Sequence, residues 1–517
     1  MSATAIVELL LLLLMAGSAV ALLTSRLKIP YTIALVFAGF AIDLFHVPIT
    51  TLVGGGSILT PEIIFVLFLP PLLFESAINI EIKTLRENFW PILLLAVVGV
   101  AAATAITGFA VHQLLGLPVL TALLFGALIT ATDPVSVIAL FRELGVSKRL
   151  LVIVEGESLF NDGTAAVAFQ LILASILTGA FDPVTGIRQF LVVVLGGILV
   201  GLLISYTTSK ITKLVDEPRV EITLTTLVAY GSYLAAEHLH VSGVIATVVA
   251  GLVIGNYGAH DGMSPRTRVA VWSFWEYAAF LVNSLVFLLV GIEVHVAEML
   301  SSWSIILIAT ASVVLARALV VYGLAPLSNR LGEPIPANWN PVMVWGGLHG
   351  SVSIALVLSL PQNFEHRSTL LTLCFGVCAF SMVVQGLTMK PLLARLGLLK
   401  EYDQDYAHLK ARQFALGAAR LELEQLGRQR AVSPATLEKL TSDLDQRAQQ
   451  LESSLASLQQ AKPELVAEEL RLARLRLLAA ERAAVQRAAI QGFVSTEVSE
   501  RILAESADEL DQLGRTH

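Results

Sequence analysis

Apolar residues fill the first 400 positions in long blocks separated by short polar stretches. A helix needs about 20 predominantly apolar residues to cross a bilayer. By that measure the pattern predicts thirteen spans, at 6–23, 30–45, 61–78, 90–115, 118–141, 151–178, 186–209, 221–238, 241–258, 275–294, 303–323, 340–360 and 369–394. The second and third are short and are expected to lie obliquely or to be interrupted. The close pairs, 90–115 with 118–141 and 221–238 with 241–258, each leave the count open by one. Beyond Lys400 the pattern changes: residues 401–517 are charged and rich in Leu and Ala, with no candidate span. Apolar positions three and four apart over 438–458 and 464–490 predict amphipathic helices, as in a soluble hairpin or short coiled coil. Ser433-Pro434 and Lys462-Pro463 are their expected starts. The chain therefore reads as an all-α polytopic membrane domain, 1–400, followed by a cytoplasmic helical tail, 401–517.

Composition agrees: of 517 residues, 55% are hydrophobic and 15% charged, against about 25% charged in a soluble domain. Charge placement adds orientation. The odd-numbered loops hold thirteen Lys and Arg, from Arg26 and Lys28 to Arg330, and the even-numbered loops hold Arg188 and Arg367. Under the positive-inside rule this places the N-terminus outside and the C-terminus in the cytoplasm, as in a plasma or inner membrane protein. The first block resembles a secretory signal, with Gly17-Ser18-Ala19-Val20-Ala21 like a cleavage site. No basic residue precedes it, whereas Arg26 and Lys28 follow, so it is read as the first span. Cys374 and Cys378, four apart in one apolar run, have neither disulfide nor metal-ligand spacing and read as packing residues.

Against this apolar background Asp133, Glu155, Glu157 and Asp162 stand inside the fifth and sixth spans. An ionisable group at membrane depth costs roughly 2.5–3.5 kcal/mol even on the gentlest scales unless it is paired, hydrated or neutralised. Four acids so placed predict a site for a small cation or a proton. At 1.5 Å per residue, Asp133 and Asp162 lie about 12 Å and about 17 Å from the cytoplasmic ends of two antiparallel spans. Both approach the midplane of a hydrocarbon core roughly 30 Å thick, and they are expected to face each other. Pro134 removes a backbone donor and clashes with the carbonyl of Thr130, which opens the fifth helix. Helices broken at such depth line cavities and present carbonyls to ions. On the sixth span Glu155, Ser158 and Asp162 share one stripe, and Glu157 and Asn161 form an adjacent pair. A hard cation such as Na+ takes carboxylate, hydroxyl and carbonyl oxygens. Asp162, Asp133, Ser158 and the backbone of Thr132 supply that set. A carboxylate that holds either the metal ion or a proton gives exchange by competition at one site.

Other polar positions complete the pattern. Glu157 and Arg317 both lie about 9 Å from the inner ends of their spans, which predicts an intramembrane salt bridge; the other reading has Arg317 snorkelling to the headgroups. Gly346, Gly347 and Gly350 interrupt the twelfth span. They predict a second helix break, or a close crossing with the fifth span, as in the paired discontinuous helices of inverted-repeat transporters. His349, among them, is either a pH sensor or a hydrogen-bonded structural histidine. Glu75 either gates or joins the ion site, or is a solvated acid at the cytoplasmic end of its span. Glu237 and Glu293 fall near outer ends and read as interfacial.

These segments together resemble the monovalent cation/proton antiporters of the NhaP and eukaryotic sodium–hydrogen exchanger type. The resemblance rests on 68–75, 131–135, 157–162, 242–257, 287–293, 316–318 and 345–350, in the family's order across the membrane part, and does not reach the tail. It implies thirteen helices, with two six-helix inverted repeats around the seventh. It also implies a homodimer in which a core domain, about 90–178 and 303–394, moves in an elevator-like cycle. That core moves against a dimerisation domain, about 6–78 and 221–294, joined to it by a linker helix, 186–209. By position it makes Asp162 the ion- and proton-binding acid, helped by Asp133, Thr132 and Ser158, and places Glu157 and Arg317 on a structural ion pair. Asn161 before Asp162 marks electroneutral one-for-one exchange. Relatives often carry a base where His349 stands, so no pH role is carried over there. No cofactor and no nucleic acid are implied; the expected partners are Na+, protons, lipid and a second copy.

The same ligand set also admits K+, Li+ or Ca2+ in place of Na+. A cation channel lacks its carbonyl filter or acidic ring here. A membrane hydrolase lacks a nucleophile–base or metal-ligand set at common depth.

Overall fold

The computed structural model describes residues 3–27, 31–44, 60, 63–133, 135–179, 183–212, 217–259, 263–293, 299, 301–398, 404–429 and 431–463, with interspersed positions from 466 to 502. No strand occurs among the described residues. The chain forms two compact units, Met1–Lys400 and Glu401–His517.

In the first unit the helices are α1 Ala3–Leu27, α2 Tyr31–Leu44, α3 Ile63–Asn79, the short α4 Ile82–Glu87, and α5 Phe89–Leu115. Then come α6 Val119–Ile129, α7 Val135–Glu143, α8 Lys148–Thr178, α9 Pro183–Thr212 and α10 Pro218–His238. The series closes with α11 Gly243–Gly258, α12 Pro265–Glu293, α13 Trp303–Leu331, α14 Asn340–Trp345, α15 Ser351–Leu358 and α16 Arg367–Arg395. Six described helices are long and apolar enough to cross a bilayer: α5, α8, α9, α12, α13 and α16; α1, α2, α3, α6 and α11 contain shorter apolar stretches.

Several helices outrun the apolar blocks that mark them. Helix α12 begins at Pro265, ahead of the predicted 275, and α13 runs to Leu331, past the predicted 323. Hydropathy registers contact with lipid, whereas a helix continues as long as its backbone bonds and side-chain anchors hold. One anchor is Arg149 at the start of α8, which donates to Asn88 Oδ1 (2.8 Å) and to the carbonyls of Glu333 (2.8 Å) and Pro334 (2.9 Å).

Small residues set the helix crossings, as expected where lipid gives no hydrophobic drive between helices. Gly39 on α2 and Gly291 on α12 lie back to back, and a Cβ built on Gly39 would meet the Cα of Gly291 at 2.7 Å. On α9, Gly197 and Gly201 abut the backbone of Ser242 and Ala246, while Leu191, Leu195, Leu199 and Leu203 are exposed. A helix with that much exposed Leu is suited to lipid, not water. Cys374 and Cys378 are free thiols in the packed interior.

The second unit contains α17 Gln404–Arg428 and α18 Pro434–Ala461. Helix α18 starts where the sequence places it: Ser433 Oγ accepts from the Thr436 amide, and Pro434 occupies the first turn. The two helices are antiparallel, Arg420 pairing with Asp445 while Gly427 abuts Leu437. Helix α17 is not evident from the hydrophobic pattern. The predicted helix over 464–490 falls mostly outside the described residues; Glu469, within it, returns to Lys410 (2.7 Å) and Tyr406.

Candidate functional site

Two helices are interrupted in the middle of the first unit, and their interruptions touch. Helix α6 closes at Ile129 with the amide and hydroxyl of Thr130 both donating to the Ala127 carbonyl (3.3 and 2.8 Å). Residues 131–133 are non-helical and α7 resumes at Val135; Pro134, the expected cause, lies outside the described residues. Helix α14 ends at Trp345, Gly346–Gly350 are non-helical, and α15 starts at Ser351. The Asp133 amide donates to the Leu348 carbonyl at 2.7 Å, joining one break to the other. Ser353 Oγ donates to the Ala131 carbonyl at 3.2 Å. Gly350 is required by this contact: a Cβ there would lie 2.5 Å from both the Cβ and an oxygen of Asp133.

Helix α8 lies against the first break and clamps it. Asn161 Nδ2 donates to Thr132 Oγ1 at 2.7 Å, and the Thr132 amide donates to Asn161 Oδ1 at 3.3 Å. One turn earlier, Ser158 Oγ donates to the Thr132 carbonyl and accepts from Thr132 Oγ1. Two of the expected ion ligands, the Ser158 hydroxyl and the Thr132 carbonyl, are thus bonded to each other. The carbonyl retains a second lone pair.

Asp162 follows Asn161, is 8% exposed, and has an enclosed Oδ1 that accepts no hydrogen bond from the described residues. Asp162, Asp133, Ser158, Thr132 and Glu75 all border one cavity of about 360 Å³. Asp133 and Asp162 therefore share a space. Residues of α2, α3 and α12, such as Tyr31, Leu73, Phe280 and Asn283, also line the cavity. Half-buried Glu75 accepts from Asn79 Nδ2 at 2.9 Å, and Asn79 Oδ1 accepts from Trp272 Nε1 at 3.1 Å. Glu155 borders the same cavity, between Ser76 Oγ (3.4 Å) and Arg142 (3.6 Å). No cluster of three or more His, Cys, Asp or Glu side chains spaced to hold a metal occurs among the described residues.

Glu157 faces away from the cavity. Arg317 of α13 grips it with two guanidinium nitrogens, Nη2 to Oε2 at 2.7 Å and Nη1 to Oε1. The same guanidinium donates to the Met343 carbonyl at the end of α14, through Nη2 (3.0 Å) and Nε (3.3 Å). Arg317 thus reaches inward. His349 is also enclosed: its amide donates to Ser381 Oγ (3.1 Å), and its Nδ1 lies 3.3 Å from the Ala131 carbonyl, a contact that needs the proton on Nδ1. Glu237 is exposed, and the Glu293 side chain lies outside the described residues. Two features of the site escape sequence reasoning, the Asn161–Thr132 clamp and Asn283. A lone amide in the apolar run 275–294 was the available signal for the second.

Known proteins place this architecture. The family model described as sodium/hydrogen exchanger, transmembrane, matches residues 10–395. The low-affinity Na+/H+ antiporter NhaS1 of Synechocystis sp. is 42% identical over 418 residues, covering 79% of this chain and 78% of the relative. The Na+/H+ antiporter NhaG of Bacillus atrophaeus is 37% identical over 522 residues, covering 99% and 98%, so its likeness extends through the tail. Among solved structures, the antiporter MjNhaP1 of Methanocaldococcus jannaschii shares the fold, with a TM-score of 0.62 at 24% identity over 77% of this chain and 99% of that one. The chain belongs to the sodium/hydrogen exchanger family of membrane transporters, as an antiporter of the NhaP type.

Proposed function

We propose that this protein exchanges Na+ for H+ across the plasma or inner membrane by alternating access, with the two cations competing for Asp162. The observation that carries the reading is the unclaimed, enclosed Asp162 oxygen, in a cavity shared with Asp133 at two crossed helix breaks. A carboxylate in a poorly hydrated space must be neutralised, and either a proton or a small metal ion does so. The two ligands exclude each other, which couples their movements without a separate proton path. Names of relatives such as NhaS1 and NhaG support Na+ as the metal.

Asp133, Ser158 and the Thr132 carbonyl complete the ion shell as the Ser158–Thr132 bond opens, and Glu75 receives the ion at the cavity wall. Asn161, Glu157 and Arg317 hold the frame, and His349 is structural. The thirteen-span topology, with the N-terminus outside and the C-terminus cytoplasmic, follows the loop charges. In the elevator cycle the core, about 90–178 and 303–394, slides against a dimerisation domain, about 6–78 and 221–294, with 186–209 as linker. The 360 Å³ cavity between the Asp-bearing helices and α2, α3 and α12 is where such surfaces would part. With Asn161 uncharged, one Na+ exchanges for one H+.

The test is proton flux in vesicles reconstituted with the full chain. An imposed Na+ gradient should drive it in either direction, and the apparent KM for Na+ should rise as pH falls. Steady current without counter-transport would indicate a channel instead.

A further inference from the structure

The cavity that Asp162 borders is lined by a further polar group that the exchange site, as described, does not use. Asn283 lies on α12, beside Ser284 in a mostly apolar stretch, and is 9% exposed. Its Oδ1 is enclosed and accepts no hydrogen bond from the described residues, the same condition as Asp162 Oδ1. Both side chains border the same cavity. The backbone that presents Asn283 is well anchored. Ser284 Oγ lies 2.6 Å from the Phe280 carbonyl, to which it donates, and 2.8 Å from the Tyr31 hydroxyl. Tyr31 in turn stacks on Phe280 with ring centroids 5.3 Å apart. Helix α12 is thus fixed beside Asn283, whose neutral amide lines the cavity together with the acids Glu75 and Glu276.

We propose that Asn283 is a positioning and selectivity residue for the transported cation. Its amide oxygen offers a neutral ligand, directly or through one water, in the cavity that the two aspartates also border. The inference rests on the reading of Asp162 as the ion site. An ion entering the cavity loses water on all sides, and the carboxylates replace it on one side. A neutral oxygen elsewhere on the lining replaces more of that shell without adding charge. It therefore tunes which ion size fits while leaving the exchange ratio alone. Asn283 and the aspartates come from different helices, so the fit depends on their separation.

The test measures KM, kcat and the Li+/Na+ KM ratio in vesicles reconstituted with full-length variants. Asn283→Leu keeps the volume and removes the oxygen; Asn283→Ala is measured beside it in case the leucine variant does not fold. Either should raise the KM for Na+ about three- to tenfold, the usual scale of one lost polar contact, with kcat within about twofold. The Li+/Na+ ratio should shift with it. Asn283→Asp, which keeps an oxygen but loses the amide donor, should retain a KM at or below the wild-type value. Unchanged KM and ratio in the leucine and alanine variants would overturn the assignment, as would an aspartate variant as impaired as leucine. Asp162→Asn is the parallel control. If it is inactive while the Asn283 variants behave as wild type, the Asn283 assignment alone fails. If it exchanges normally, the underlying site fails first.

Discussion

Glu157 and Asp162 sit on one helix, both nearly withdrawn from solvent at 2% and 8% exposure, in opposite circumstances. Arg317 engages both oxygens of Glu157 and also holds the end of α14. Asp162 Oδ1 receives nothing from the described residues. Burial is nearly equal, so it does not separate a structural carboxylate from a working one. The supply of donors does. Glu157 has its donors from Arg317, whereas Asp162 Oδ1, beside the cavity, takes none from the described residues and under the proposed exchange takes the cation.

The largest effects should test that contrast directly. Asp162→Asn should abolish Na+-driven proton flux while leaving the melting temperature in detergent nearly unchanged. Glu157→Gln should do the reverse in kind, lowering stability by about 3–5 kcal/mol because it strands the Arg317 charge. Replacing both Glu157 and Arg317 by neutral residues should cost less than the sum of the single changes, which thermal unfolding of the three variants would reveal. If Asp162→Asn proved the more unstable protein and Glu157→Gln the inactive but stable one, the roles would be exchanged.

Gly350→Ala probes the ground between them, where overpacking costs about 1–3 kcal/mol. The added methyl meets Asp133, so exchange should weaken and the KM for Na+ should rise, with a smaller stability loss than Glu157→Gln. The smallest effect belongs to the tail. A hydrogen bond from Lys410, then one from Tyr406, holds the Glu469 carboxyl below the usual carboxylate range. A depressed folded value means the contribution is present above the unfolded pKa of about 4.3 and is lost as pH falls through the lower folded value. Melting of the tail helices in wild type and Glu469→Gln should therefore differ slightly at pH 6 and converge as the pH falls below the lowered folded value.

The sequence made one part of the site legible and left another hidden, for a physical reason. Asp133, Ser158 and Asp162 stand out because lipid makes any polar residue in an apolar run conspicuous. The Glu157–Arg317 pair was visible because helical rise converts residue number into depth, and equal depth with opposite charge suggests contact. Spacing along one helix cannot show what a side chain meets on another. The Asn161 amide was therefore readable as a neighbour of Glu157, not as the clamp on Thr132. Asn283 went unnoticed because nothing in its own helix shows that it borders the cavity of Asp162. Likewise the glycines of 346–350 announced a break, but not that the Leu348 carbonyl would receive the Asp133 amide.

That crossing has an electrical consequence. Two helix ends, of α6 and α14, and two helix starts, of α7 and α15, converge on a few residues. Each terminus carries up to about half an elementary charge, negative at ends and positive at starts, so the four fields largely cancel. Opposite termini offset one another at the breaks, and under the proposed exchange the potential there follows the aspartates and the cation that neutralises them.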